Sequence, residues 1–90
     1  MSNAQAPRTA AVTDVPTVLS LPDNARRKLL LKNNGAQTLY LGDRNVAASG
    51  VNQGWEVAAG AEFADSSSNG AIYGVYAATG TGSIKVREFN

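Results

Sequence analysis

The sequence predicts an all-β fold, a small antiparallel β-sandwich or β-barrel with an extended N-terminal arm. Three observations carry that expectation. From Thr17 onward, short apolar-alternating runs recur at about ten-residue spacing, the rhythm of sandwiches and barrels. Runs stop at clusters of turn formers: Pro22-Asp23-Asn24, Asn33-Asn34-Gly35 and Thr79-Gly80-Thr81-Gly82. No segment carries the i, i+3, i+4, i+7 stripe of large apolar residues that an amphipathic helix needs.

Taken in order, residues 1–15 mix Ala, Thr, Pro, Ser and Asn, with only Arg8 and Asp14 charged. They read as an arm or a first edge strand, set apart from a single β-domain over residues 16–90. Thr17 to Leu21 alternates. Arg27 to Lys32 is a strand with Leu29 and Leu31 on one side and Lys28, Leu30 and Lys32 on the other. Asn33-Asn34-Gly35 tolerates the left-handed backbone of a tight turn, so Arg27 to Gly42 reads as a hairpin returning through Thr38 to Leu41. Val46 to Gln53 is an ordered loop or irregular edge. Trp55 to Val57 and Ala61 to Phe63 are short strands about a bend at Gly60. Asp65 to Gly70 is a polar loop. Ala71 to Ala77 and Ser83 to Phe89 form a second hairpin across Thr79 to Gly82, with Ile84, Val86 and Glu88 on one face and Lys85, Arg87 and Phe89 on the other.

Composition narrows function by exclusion. The 90 residues suit one domain. Cys and His are both zero, which removes disulfides, thiolate metal sites and every Ser-His or Cys-His nucleophilic site. Small domains commonly recruit a staple, and oligomerisation is the one that composition leaves. A net charge of +1 with 17% charged residues disfavours a strongly basic nucleic-acid binder. No apolar run approaches the roughly 18 residues of a membrane span, and the N-terminus lacks the basic-then-apolar order of a secretory signal, so a soluble product made in the cytoplasm is expected.

The remaining candidate sites each have a plainer explanation. Asp65, Ser67, Asn69 and Gly70 match the first half of a calcium loop, but Tyr76 stands where the bidentate glutamate belongs. Gly80 and Gly82 begin like a phosphate loop, without a third glycine or a following helix. Asp43, Glu56, Glu62 and Glu88 show no spacing that pairs two carboxylates for glycoside hydrolysis. Neither a metal, a cofactor nor a catalytic residue is therefore expected. Arg26-Arg27-Lys28 with Lys32 reads as a solvated strand entry or edge protection, and as a nucleic-acid contact only if it faces the inside of an assembly. Trp55, Tyr40, Tyr73 and Tyr76 read as core or subunit contact before they read as a sugar platform. The profile is that of a protein working by contact, and the expected contact residues are Arg8 and Val12 in the arm, Asp43, Arg44 and Asn45 beside the loop, and Trp55 and Tyr76.

The run from Arg27 to Gly42 resembles small structural proteins of tailed bacteriophages. An Arg-started apolar strand ends in Asn33-Asn34-Gly35, and a second ends in Tyr40-Leu41-Gly42. A glycine bend follows at Ala59-Gly60-Ala61-Glu62, then a final strand pair from Ile72 to Ala77 and Ser83 to Glu88. The resemblance spans about residues 26–89. It implies a virion component without catalytic residues: a capsid decoration (cement) protein, or alternatively a fibre-base or tail part. The partners implied are the major capsid protein or another virion protein, and further copies of the chain as a homotrimer. A carbohydrate-binding module is the alternative from another class.

Overall fold

A computed structural model describes residues 8–20, 28–65 and 70–89. Among these residues, eight strands form two four-stranded antiparallel sheets: β1 (Arg8–Val12), β2 (Thr17–Ser20), β3 (Lys28–Asn33), β4 (Leu39–Gly42), β5 (Trp55–Val57), β6 (Glu62–Asp65), β7 (Ile72–Val75) and β8 (Gly82–Phe89). The first sheet has the order β1-β8-β3-β6 and the second β2-β7-β4-β5. Their inner faces pack a core of Val12, Leu19, Leu29, Leu31, Leu39, Leu41, Val57, Tyr76, Ile84 and Val86. The predicted all-β sandwich is the fold observed.

Strand parity explains which residues reach that core. In β3, Leu29, Leu31 and Asn33 are buried while Lys28 and Lys32 are exposed. In β8, Ile84, Val86 and Glu88 are buried while Lys85 and Arg87 are exposed. Both follow the period-two rule read from sequence. In β2 the register shifts between Val18 and Ser20. A bulge of this kind lets consecutive Leu19 and Ser20 both be buried, the serine hydroxyl donating to Glu88 Oε2 at 3.1 Å.

Connectivity departs from expectation. Neither predicted hairpin forms: β3 belongs to the first sheet and β4 to the second, and likewise β8 to the first and β7 to the second. Turn chemistry reports that the chain reverses, not whether it returns beside its predecessor or crosses to the facing sheet. Among the described residues, β4 and β5 are the only consecutive strands that pair. The arm is corrected as well. Arg8 to Val12 pairs with β8 from Arg8↔Val86 to Val12↔Gly82, and Val12 is 1% exposed, so this part of the predicted arm is an integral edge strand. The rest of the arm before Arg8, the Pro22-Asp23-Asn24 turn, Arg26, Arg27, Ser67 and Asn69 lie outside the described residues.

The alternating strand directions give the sandwich two unlike ends. Connections β1–β2, β3–β4, β5–β6 and β7–β8 share one end, and each crosses between sheets within a few residues. Asn33 fastens that end. Its side chain is fully buried; Nδ2 donates to Gln37 O at 2.7 Å and to Val57 O at 3.0 Å, while Oδ1 accepts from Gly35 N at 3.0 Å and Tyr76 Oη at 2.5 Å. Its backbone N–H donates to Ala61 O and its carbonyl accepts from Gly60 N, where φ is 79°. All four side-chain hydrogen-bonding positions of the amide are thereby used. Gly35 and Gly82 have no side chain because the Tyr76 hydroxyl occupies the space that a Cβ would take. Burial pushes the Tyr76 phenol above its ordinary 10.0, with the Gly35 backbone pulling the other way. Tyr76 is thus a core residue, not the contact residue expected.

Candidate functional site

The opposite end carries the long β4–β5 loop between Gly42 and Trp55, the usual place for contacts on a rigid β-scaffold. Its entry is an Asx turn: Asp43 Oδ1 accepts from Asn45 N at 2.8 Å, and Val46 N donates to Asp43 O at 3.0 Å. Val46 then folds back as a plug, 4% exposed, against Gly42 and Gly54, where any side chain would collide with it. Past the plug, Ala47 N donates to Asn52 O at 2.9 Å, Gly54 N to Ala47 O at 3.0 Å and Gln53 N to Gly50 O at 3.1 Å, with φ of 85° at Gly50. The loop is held by its own backbone, as expected of an ordered loop.

This loop presents apolar surface to solvent. Val51 at its tip is fully exposed, at 102%, and Trp55 at its base is 70% exposed. Trp55 pairs with Leu41 and so shares the inward register of Leu41 and Val57, yet it sits on the short edge strand β5 next to the loop. A crevice of about 270 Å³ runs between loop and strands, lined by Asp43, Val46, Val51, Asn52, Gln53 and Trp55 among others. Asp43 also borders a second, more open hollow of about 430 Å³ with Arg44, Asn45, Ala71 and Tyr73.

Four of the seven residues expected to make contacts, Asp43, Arg44, Asn45 and Trp55, therefore gather at one end. Asp43 has a second task there, because its carboxylate holds the turn. Val12 and Tyr76, each 1% exposed, belong to the core and are removed from the contact set. Arg8 begins β1, opposite Val86. Val51 lies in the Val46 to Gln53 loop, itself an expected contact region, but nothing in the sequence singles it out: a valine in an Ala, Ser, Gly and Asn stretch carries no periodic signal, and only the loop's internal hydrogen bonds make its exposure a fixed feature. The aromatic residues do not form one platform, since Tyr40 and Tyr73 are half-buried on the outer side of the second sheet while Trp55 has the opposite parity. Among the described residues no group of three or more carboxylates is placed to hold a metal ion. No protein-family model, curated protein or solved structure matches the chain.

Proposed function

We propose that the chain is a non-enzymatic virion structural protein, a decoration (cement) protein that binds an assembled phage head through the β4–β5 loop end. The observation that carries this reading is the exposure of Trp55 and Val51 on a loop already fixed by its own hydrogen bonds. A preorganised loop loses little ordering entropy on docking, and a tryptophan beside a crevice has the character of an interface anchor. The resemblance around Arg27 to Gly42 supplies the virion context; a fibre base or tail part uses the same contact surface. Cementing follows from linkage: a protein that binds the assembled lattice and not free subunits shifts the equilibrium toward assembly. A homotrimer at a three-fold position would bridge neighbouring capsid subunits with closed symmetry.

Trp55 beside an open crevice also favours a second reading, stacking on the apolar face of a sugar. Particles carrying the chain and particles lacking it are heated, and entry of a DNA-binding dye is followed. Decorated particles are expected to resist higher temperature. Trp55→Ala is expected to weaken attachment about 30-fold, the equivalent of a 2 kcal/mol anchor. Equal heat resistance with and without the chain refutes cementing, and saturable glycan binding lost in Trp55→Ala would establish the sugar reading instead.

A further inference from the structure

The outer face of the first sheet concentrates positive charge that the net charge of +1 conceals. Cross-strand register sets out its rows. Thr9, Lys85, Lys32 and Glu62 lie side by side across β1, β8, β3 and β6. The next row holds Arg87, Leu30 and Ala64, and the next Phe89 beside Lys28. Lys28 Nζ and the Arg87 guanidinium both lie over the Phe89 ring, 5.9 and 5.2 Å from its centroid. Among the described residues in these rows, Glu62 is the one carboxylate against four cations. A shallow depression of about 290 Å³ runs among Leu30, Lys32, Glu62, Lys85 and Arg87.

Edge protection does not account for this arrangement, because β3 and β8 are the two central strands of their sheet. Stability favours it only in part: Lys32 has Glu62 beside it on β6, but Lys85 lies between Lys32 and the uncharged Thr9, and the like charges of Lys32 and Lys85 repel. A polyanion laid across the face would relieve that repulsion. An acidic peptide adding to a sheet would seek an edge with free backbone groups, which central strands do not offer. Clustered cations around an aromatic ring instead match the chemistry of an unpaired nucleic-acid strand, whose phosphates take the charge and whose bases stack.

We propose that this face binds single-stranded nucleic acid, with Lys28, Lys32, Lys85 and Arg87 contacting phosphates; Lys28 and Arg87 turn away from the Phe89 ring that they cover in the free chain, which opens it to a stacking base. The assignment is independent of the virion reading, since it uses a different surface. The test measures fluorescence anisotropy of a labelled oligothymidylate longer than a site of about 4–16 nucleotides, with the full chain. Four phosphate contacts predict a slope of about −2.8 in log K against log salt, an affinity loss of about 50-fold between about 50 and 200 mM. Lys85→Gln combined with Arg87→Gln is expected to halve the slope, to about −1.4, with an unchanged circular dichroism spectrum. Phe89→Leu is expected to weaken binding at an unaltered slope. Absence of saturable binding at about 50 mM salt overturns the proposal, as does an unchanged slope in the charge variant. Displacement by polyglutamate at equal charge concentration would assign the face to an acidic polypeptide and also overturn it.

Discussion

Replacing Asn33 with alanine tests what holds the two sheets together at their closed end. The amide bridges the β3–β4 connection, the end of β5 and the tyrosine that follows β7. Its bonds to Val57 O and Tyr76 Oη are buried, whereas those within the β3–β4 connection are only partly so and can exchange for water. Two buried groups left without partners cost about 1–3 kcal/mol each, so Asn33→Ala should destabilise by about 2–6 kcal/mol. A domain of this length has about 5–13 kcal/mol in total, so the variant should lose a large part of its stability and melt at least about 10 °C lower. Urea unfolding followed by circular dichroism measures the loss as a lower midpoint at constant m. Tyr76→Phe removes one arm of the same network, and the double variant should lose less than the sum of the two singles. A loss below about 1 kcal/mol in Asn33→Ala, or strict additivity with Tyr76→Phe, would show that apolar packing alone joins the sheets at this end.

Two more expectations follow from the same interior. The raised phenol of Tyr76 stays protonated in the fold when the unfolded chain begins to lose its proton near pH 10, so its stability contribution is complete below that pH. It is lost as pH rises toward the folded value, at up to about 1.4 kcal/mol per pH unit, and melts of wild type against Tyr76→Phe from pH 8 to 11 should converge at the alkaline end. Deletion of residues through Val12 should lower the melting temperature markedly, because it leaves β8 paired with β3 alone and removes a core valine worth about 1.5–3 kcal/mol; a truncated chain with an unaltered melt would return these residues to the status of an arm.

Period-two patterning makes the inner faces of β3 and β8 legible in the sequence, down to the inward position of Glu88. The same parity places Asn33 inward after Leu29 and Leu31, but its neighbours Asn34 and Gly35 gave it the look of a turn residue. Gly35 is required by the close approach of Tyr76, not by a left-handed backbone, and the positive φ in the β7–β8 connection falls on Thr79, at 64°, not on Gly80. Local turn signals were therefore real, but the reason for them lay in residues distant in sequence. At the candidate site, Asp43, Arg44, Asn45 and Trp55 were legible as polar or aromatic residues flanking an irregular stretch. What the sequence could not supply was the Val46 plug against Gly42 and Gly54, which turns that stretch into a fixed loop and brings Val51 into view.

The closed end also bears on why the domain folds without a disulfide. Composition alone left oligomerisation as the staple, because Cys is zero and many of the apolar residues are alanine. The Asn33–Tyr76 network offers an internal alternative: a fully satisfied buried polar cluster rigidifies a core and rejects other packings, since every competing arrangement leaves several of its members without partners. It ties three connections that cross between the sheets, from positions 24 and 43 residues apart in sequence, as a covalent bridge would. With one end fastened this way, the β4–β5 loop at the other is free of the task of holding the sheets together. Its Val51 and most of Trp55 lie outside the packing of the isolated domain, and that division is what favours the loop end as the proposed contact surface.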